Sequence, residues 1–170
     1  DKAMRTIRGK RIGMIFQDPQ TSLNPIMTIG NQLIETIRFT KEIDDVSAYN
    51  EATELLDSVG IDNPKLRMKS YPHQFSGGMR QRVVIALSLA GNPDLIIADE
   101  PTTALDVSVQ SQILELIKSF CKKRRLGVII ITHDIGVIAN IADRVTVMYN
   151  GSIVETGFVR QVLLLSLIHI

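Results

Sequence analysis

The sequence predicts an α/β fold with a parallel sheet and a C-terminal β-hairpin. Two continuous apolar runs, "DLIIAD" (residues 94–99) and "GVIIIT" (127–132), have the composition of strands buried on both faces of a parallel sheet. Between them, residues 107–123 read as a helix with Ile113, Leu114, Ile117 and Phe120 on one apolar face and Asp106 as its N-cap. The segment "RVTVMYNGSIVETG" (144–157) is the hairpin, because Asn-Gly suits a two-residue turn.

The other elements follow in order. "RIGMIF" (11–16) predicts a short strand, and residues 28–39 place Ile29, Leu33 and Ile37 at helical spacing. "KEIDDVS" (41–47) reads as a polar connection before a second helix over 48–59, which Gly60 stops. Pro64 and Pro72 mark loops, and a third helix runs from Met79 to Ala90 behind Ser76, its candidate N-cap. A helical insert over residues 18–90 is thus set into an α/β layer, with no internal repeat or low-complexity linker.

A chain of 170 residues that is 45% hydrophobic can bury one sizeable core. Net charge of +1 argues against binding nucleic acid by bulk electrostatics, and 5% aromatics with no Trp leaves few stacking platforms for single strands. The single cysteine, Cys121, excludes an internal disulfide framework and reads as a packing residue. The first residues are charged rather than apolar, and the longest apolar stretches are too short to span a bilayer. These features lead us to expect a soluble chain of a reducing compartment. It begins without methionine, as though in the middle of something.

Chemistry-bearing residues fall at the ends of the predicted strands and at one helix start. In "FSGGMRQR" (75–82), Ser76 and the glycines behind it offer bare backbone N–H groups at a helix N-terminus, where phosphate oxygens are favoured. An ordinary turn and capped helix would use the same residues. Asp99 and Glu100 end a predicted buried strand, the edge where ligands bind in open α/β sheets. Asp99 could hold Mg²⁺ and Glu100 could polarise a water, or both could cap the next turn. His133 ends the following strand and could bond a γ-phosphate or simply a loop carbonyl. Gln17, after the first strand, could bridge Mg²⁺ and water or lie idle on the surface.

In combination and in this order, these residues resemble the ATP-binding cassette ATPases, over residues 5–163. Gln17 matches the Q-loop, "FSGGMRQR" the signature, "LIIADE" the Walker B motif, "ALD" (104–106) the D-loop and His133 the switch histidine. The resemblance implies an incomplete P-loop NTPase (RecA-like) core, residues 1–17 and 91–164, with the helical signature subdomain inserted at 18–90. It implies ATP and Mg²⁺ as cofactors, Glu100, His133 and Gln17 as catalytic residues, and Asp99 with Gln17 as metal ligands. Ser76, Gly77, Gly78 and Gln81 would contact nucleotide, and Asp106 would lie at a dimer interface. In such ATPases two cassettes pair head to tail, so the signature would meet the γ-phosphate of a nucleotide bound mainly by the partner.

A narrower resemblance, to the oligopeptide, dipeptide and nickel importer branch, rests on "FQDPQTSLNPIMTIGNQL", "YPHQ" and "SLNP" (22–25). Met79 departs from the general signature's glutamine but suits this branch, whereas Phe158 stands where proline is usual. The branch implies an ATPase subunit, peripheral on the cytoplasmic face of the inner membrane. Its partners would be a like or unlike second ATPase, permease subunits and, indirectly, a solute-binding protein, with no nucleic acid. A soluble cassette ATPase of DNA repair or translation is the alternative, against which no heptad array is visible.

The motif G-x-x-x-x-G-K-[ST] does not occur in the sequence. We therefore expect an internal fragment, inactive alone, of a protein roughly twice as long, with the phosphate loop upstream and the branch's C-terminal extension downstream. "LSLIHI" (165–170) translates CTG TCT CTT ATA CAC ATC, which resembles a transposase adapter end from sequencing libraries. An artefact is expected there, and no function is assigned to His169.

Overall fold

The structure, a computed structural model, describes residue 4, residues 6–103 and residues 105–165. The expectations for Ala104 of the D-loop motif and for the adapter-like residues 166–170 lie outside the described residues. Two compact units divide between Ile131 and Thr132.

In the first unit, β1 (Ile12–Ile15) leads into five helices: α1 (Pro19–Ser22), α2 (Ile29–Thr40), α3 (Asp45–Ser58), α4 (Pro64–Arg67) and α5 (Gly77–Leu89). Then come β2 (Leu95–Asp99), α6 (Val107–Arg124) and β3 (Gly127–Ile131). The strands form one parallel sheet in the order β1-β2-β3, with Ile15 beside Ala98 and Ala98 beside Ile130. Parallel strands need long crossovers. The helical segment supplies the first of them and α6 the second.

The helices obey their sequence signals. Ile29, Leu33 and Ile37 of α2 are fully buried, each worth about 2 kcal/mol of burial. The helix starts when the Thr28 hydroxyl accepts from the Asn31 N–H. Helix α3 begins earlier than the polar "KEIDDVS" stretch suggests, because Asp44 is an N-cap that accepts from the Val46 and Ser47 N–H groups. The Ser47 N–H, then the Ser47 hydroxyl, hold the Asp44 carboxyl below its usual range. Pro64 and Pro72 do not sit in open loops. Each begins a short helical turn, where a missing N–H costs nothing.

Burial on both faces of the sheet does not hold. Residues Ile15, Ile96 and Ala98 are buried on the face where α5 packs against β1. On the opposite face Met14, Ile97 and Ile129 form one cross-strand row, and Ile129 and Ile131 are each 51% exposed. Burial in β3 accordingly alternates, with Gly127, Ile129 and Ile131 exposed.

The second unit contains α7 (Ile135–Ile141), β4 (Arg144–Tyr149), β5 (Ser152–Phe158) and α8 (Val159–Leu165). Strands β4 and β5 pair antiparallel, with a bulge between Val147 and Met148. Asn150 and Gly151 both take positive φ, 47° and 78°, the pair of left-handed residues that the tight hairpin turn requires.

Candidate active site

Parallel strands deliver their C-terminal ends to one edge of the sheet, and there Gln17 meets Glu100 while Asp99 ends β2. Asp99 is the last residue of β2 and is half-buried. Glu100 continues the ladder with its N–H, which donates to the Ile131 carbonyl at 2.8 Å. Its φ of 45° then swings the chain away from the strand direction. The Gln17 Nε2 donates to the Glu100 Oε2 at 2.8 Å.

A second donor to the same oxygen escapes the sequence motifs. The Thr103 hydroxyl donates to the Glu100 Oε2 at 2.8 Å, across a turn closed by the Thr103 N–H to the Glu100 carbonyl at 3.1 Å. The findable signal was "EPTT": proline at the second position of a four-residue turn brings the fourth residue back to the first.

These groups suit a hard cation in part. A Gln17 amide that gives its N–H₂ to Glu100 keeps its carbonyl oxygen for a metal, and Asp99 supplies a carboxylate one strand away. Among the described residues no group of three or more His, Cys, Asp or Glu is placed to hold a metal. That donor set fits Mg²⁺, which takes one or two protein oxygens and completes its shell with phosphate and water.

The signature residues open α5. Ser76 is its N-cap, with Oγ accepting from the Met79 N–H at 3.3 Å. The Gly77 and Gly78 N–H groups lie in the first turn, where no intrahelical acceptor exists. The glycines differ in their reasons. Among the described residues, a Cβ on Gly77 would meet only Leu105, at an ordinary contact distance of 3.7 Å. A Cβ on Gly78 would lie 2.6 Å from Val109 Cγ1, so this glycine lets α5 and α6 approach. Packing within the chain therefore accounts for Gly78, whereas no described residue crowds Gly77.

Gln81 requires a correction. Its side chain is 1% exposed and its Nε2 has no hydrogen-bond partner among the described residues, one turn behind Gly77 on a helix buried on most sides. A side chain enclosed in this way cannot reach a nucleotide. Asp106 caps α6, its Oδ1 accepting from the Val109 N–H at 2.9 Å, and is exposed beside the signature turn. His133 belongs to the second unit, where it is exposed immediately before Asp134, the N-cap of α7.

Residues 1–103 match the ABC transporter family. The chain belongs to that family. This cassette chain is 59% identical over 162 residues to the oligopeptide transport ATP-binding protein OppD of Bacillus subtilis, covering 95% of the chain and 45% of the relative. It is 57% identical to the dipeptide transport ATP-binding protein DppD of the same organism, with 92% of the chain and 47% of the relative covered. The glutathione import ATP-binding protein GsiA of Escherichia coli K12 is 55% identical, with 94% and 26% covered. The cassette chain thus spans less than half the length of these curated relatives.

Among solved structures, the cassette resembles an ATP-binding cassette in a dimeric post-hydrolysis state bound to ADP and Pi. The TM-score is 0.81 at 30% identity, covering 94% of this chain and 68% of that one. The α/β architecture expected from the sequence is therefore that of the ABC ATPase cassettes, a nucleotide-binding fold.

Proposed function

We propose that this chain is the signature-bearing portion of an ATP-hydrolysing subunit that energises the import of peptides or related solutes, nickel complexes among them. The observation that carries the chemistry is the Gln17–Glu100 hydrogen bond at the ligand-binding edge of a parallel sheet. Glu100 is the base that polarises water for in-line attack on the γ-phosphate. Gln17 holds that carboxylate with its amide N–H, and Asp99 with the Gln17 carbonyl would hold Mg²⁺, which supplies charge neutralisation on the phosphates. His133 is the γ-phosphate donor. Ser76, Gly77 and Gly78 serve the nucleotide of a second, head-to-tail cassette, with Asp106 at that interface. The division into an ATPase core (1–17 and 91–164) and a helical subdomain (18–90) belongs to the same proposal.

Transport is favoured over a soluble repair or translation ATPase by the transport and import names of the relatives. A surface loop supports it too. Gln32, buried in α2, accepts from the Asn24 N–H and donates to the Asn24 and Met27 carbonyls, which fixes the loop that leaves Ile26 83% exposed. Residues 19–30 would form the groove for a coupling helix of the permease, placing the subunit peripherally on the cytoplasmic face. No helix among the described residues is long and apolar enough to cross a membrane.

The test is uptake. Deleting the gene should abolish import of an oligopeptide, a dipeptide, glutathione or nickel, and the full-length gene should restore it where Glu100→Gln does not. Unchanged uptake of all four solutes in the deletion strain would sink the importer reading.

A further inference from the structure

We infer that Thr103 is a positioning residue for Glu100, acting with Gln17 to fix the carboxylate from two sides. This rests on the proposed role of Glu100 as base. A glutamate has three side-chain torsions, and an exposed one samples many rotamers. Here one oxygen, Oε2, accepts from two groups that come from unrelated parts of the chain. Gln17 approaches from the end of β1. Thr103 approaches from within the turn that Glu100 itself begins.

The turn is anchored well enough to make the second contact specific. Pro101 is buried and Thr102 is 8% exposed, so the middle of the turn is held by packing. The Thr103 N–H bonds the Glu100 carbonyl at 3.1 Å, and the Leu105 N–H bonds the Thr102 carbonyl at 3.2 Å. Thr103 itself is exposed, so its hydroxyl can be removed without opening a core. The two donors have different duties. Gln17 is also a candidate metal ligand, so its amide answers to the nucleotide site, whereas among the described residues the Thr103 hydroxyl donates only to Glu100. Thr103 thereby keeps the carboxylate aimed whether or not Gln17 is engaged elsewhere.

Steady-state ATP hydrolysis of the full-length protein tests this, with wild type, Glu100→Gln, Gln17→Ala, Thr103→Val, Thr103→Ser and the Gln17→Ala/Thr103→Val double variant. Thr103→Val should lower kcat roughly tenfold, because a misaimed base loses its geometry. Its KM for ATP should stay within about twofold, since the contact is not one made to bound nucleotide. Thr103→Ser should recover wild-type kcat, and the double variant should fall below either single one. Thermal unfolding midpoints should not move. Full kcat in Thr103→Val with Glu100→Gln inactive would overturn this inference alone, as would failure of Thr103→Ser to recover. Undiminished turnover in Glu100→Gln would remove the base assignment and this inference with it.

Discussion

Gln17 and Glu100 lie 83 positions apart in the chain and are joined by a 2.8 Å hydrogen bond between an amide and a carboxylate. Replacing the carboxylate with the amide keeps the size and most of the packing but removes the proton acceptor. Glu100→Gln in the full-length protein should lower ATP turnover by at least about 100-fold while nucleotide affinity stays near wild type. Steady-state hydrolysis and equilibrium nucleotide binding, measured on one preparation, decide the matter. Turnover near wild type would exclude Glu100 as base.

Ser76→Arg should leave ATP binding by the same subunit intact and block ATP-dependent pairing of cassettes. A long cation would crowd the start of α5, where Ser76 and Gly77 are exposed. Light scattering of the Glu100→Gln/Ser76→Arg variant, with ATP and without it, provides the assay. Normal ATP-dependent dimerisation would contradict a role for the signature across the interface.

The two glycines should separate when each becomes alanine. Gly78→Ala drives a methyl group into Val109, so it should destabilise the fold by about 1–3 kcal/mol. Gly77→Ala meets Leu105 only at ordinary contact distance and should leave denaturant stability unchanged or slightly raised. Its effect should instead fall on ATP-dependent dimerisation. Equal destabilisation by both variants would show that the contrast between the positions is not real.

Gln81→Leu should stabilise the protein by about 1 kcal/mol, because an enclosed amide with no partner among the described residues bears an uncompensated desolvation cost. Urea unfolding of the two forms measures this. A marked loss of stability in the leucine variant would mean that the Gln81 amide is satisfied in solution.

Local signals were legible where local chemistry decides. Ser76 and Thr28 cap their helices, Asn150-Gly151 turns the hairpin, and the ends of β1 and β2 carry the residues that meet at the sheet edge. What stayed hidden depends on contacts distant in sequence. Nothing in "SGG" distinguishes a glycine with room for a methyl group from one pressed on Val109, since Val109 is on another helix. Gln81 looked like part of a binding motif because motifs are read as strings, whereas helical rotation sends its side chain inward. Apolar content predicted strands covered on both faces, but coverage depends on which helices pack there, and Ile129 and Ile131 show that one face is open within the first unit. Thr103 was missed for a simpler reason: threonine in a turn has many ordinary uses.

The positive φ of Glu100 sets two pressures against each other. Side chains other than glycine, asparagine and aspartate rarely sit there, and holding one in that region costs about 1 kcal/mol or more. The cheapest way to toughen this corner is to substitute glycine, which would relax the backbone and delete the carboxylate in one step. Selection for heat resistance alone would therefore erode position 100, and with Glu100 as the proposed base only selection for turnover would keep it acidic. On the proposed role of Glu100, a sturdier protein and a working one are, at this position, different sequences.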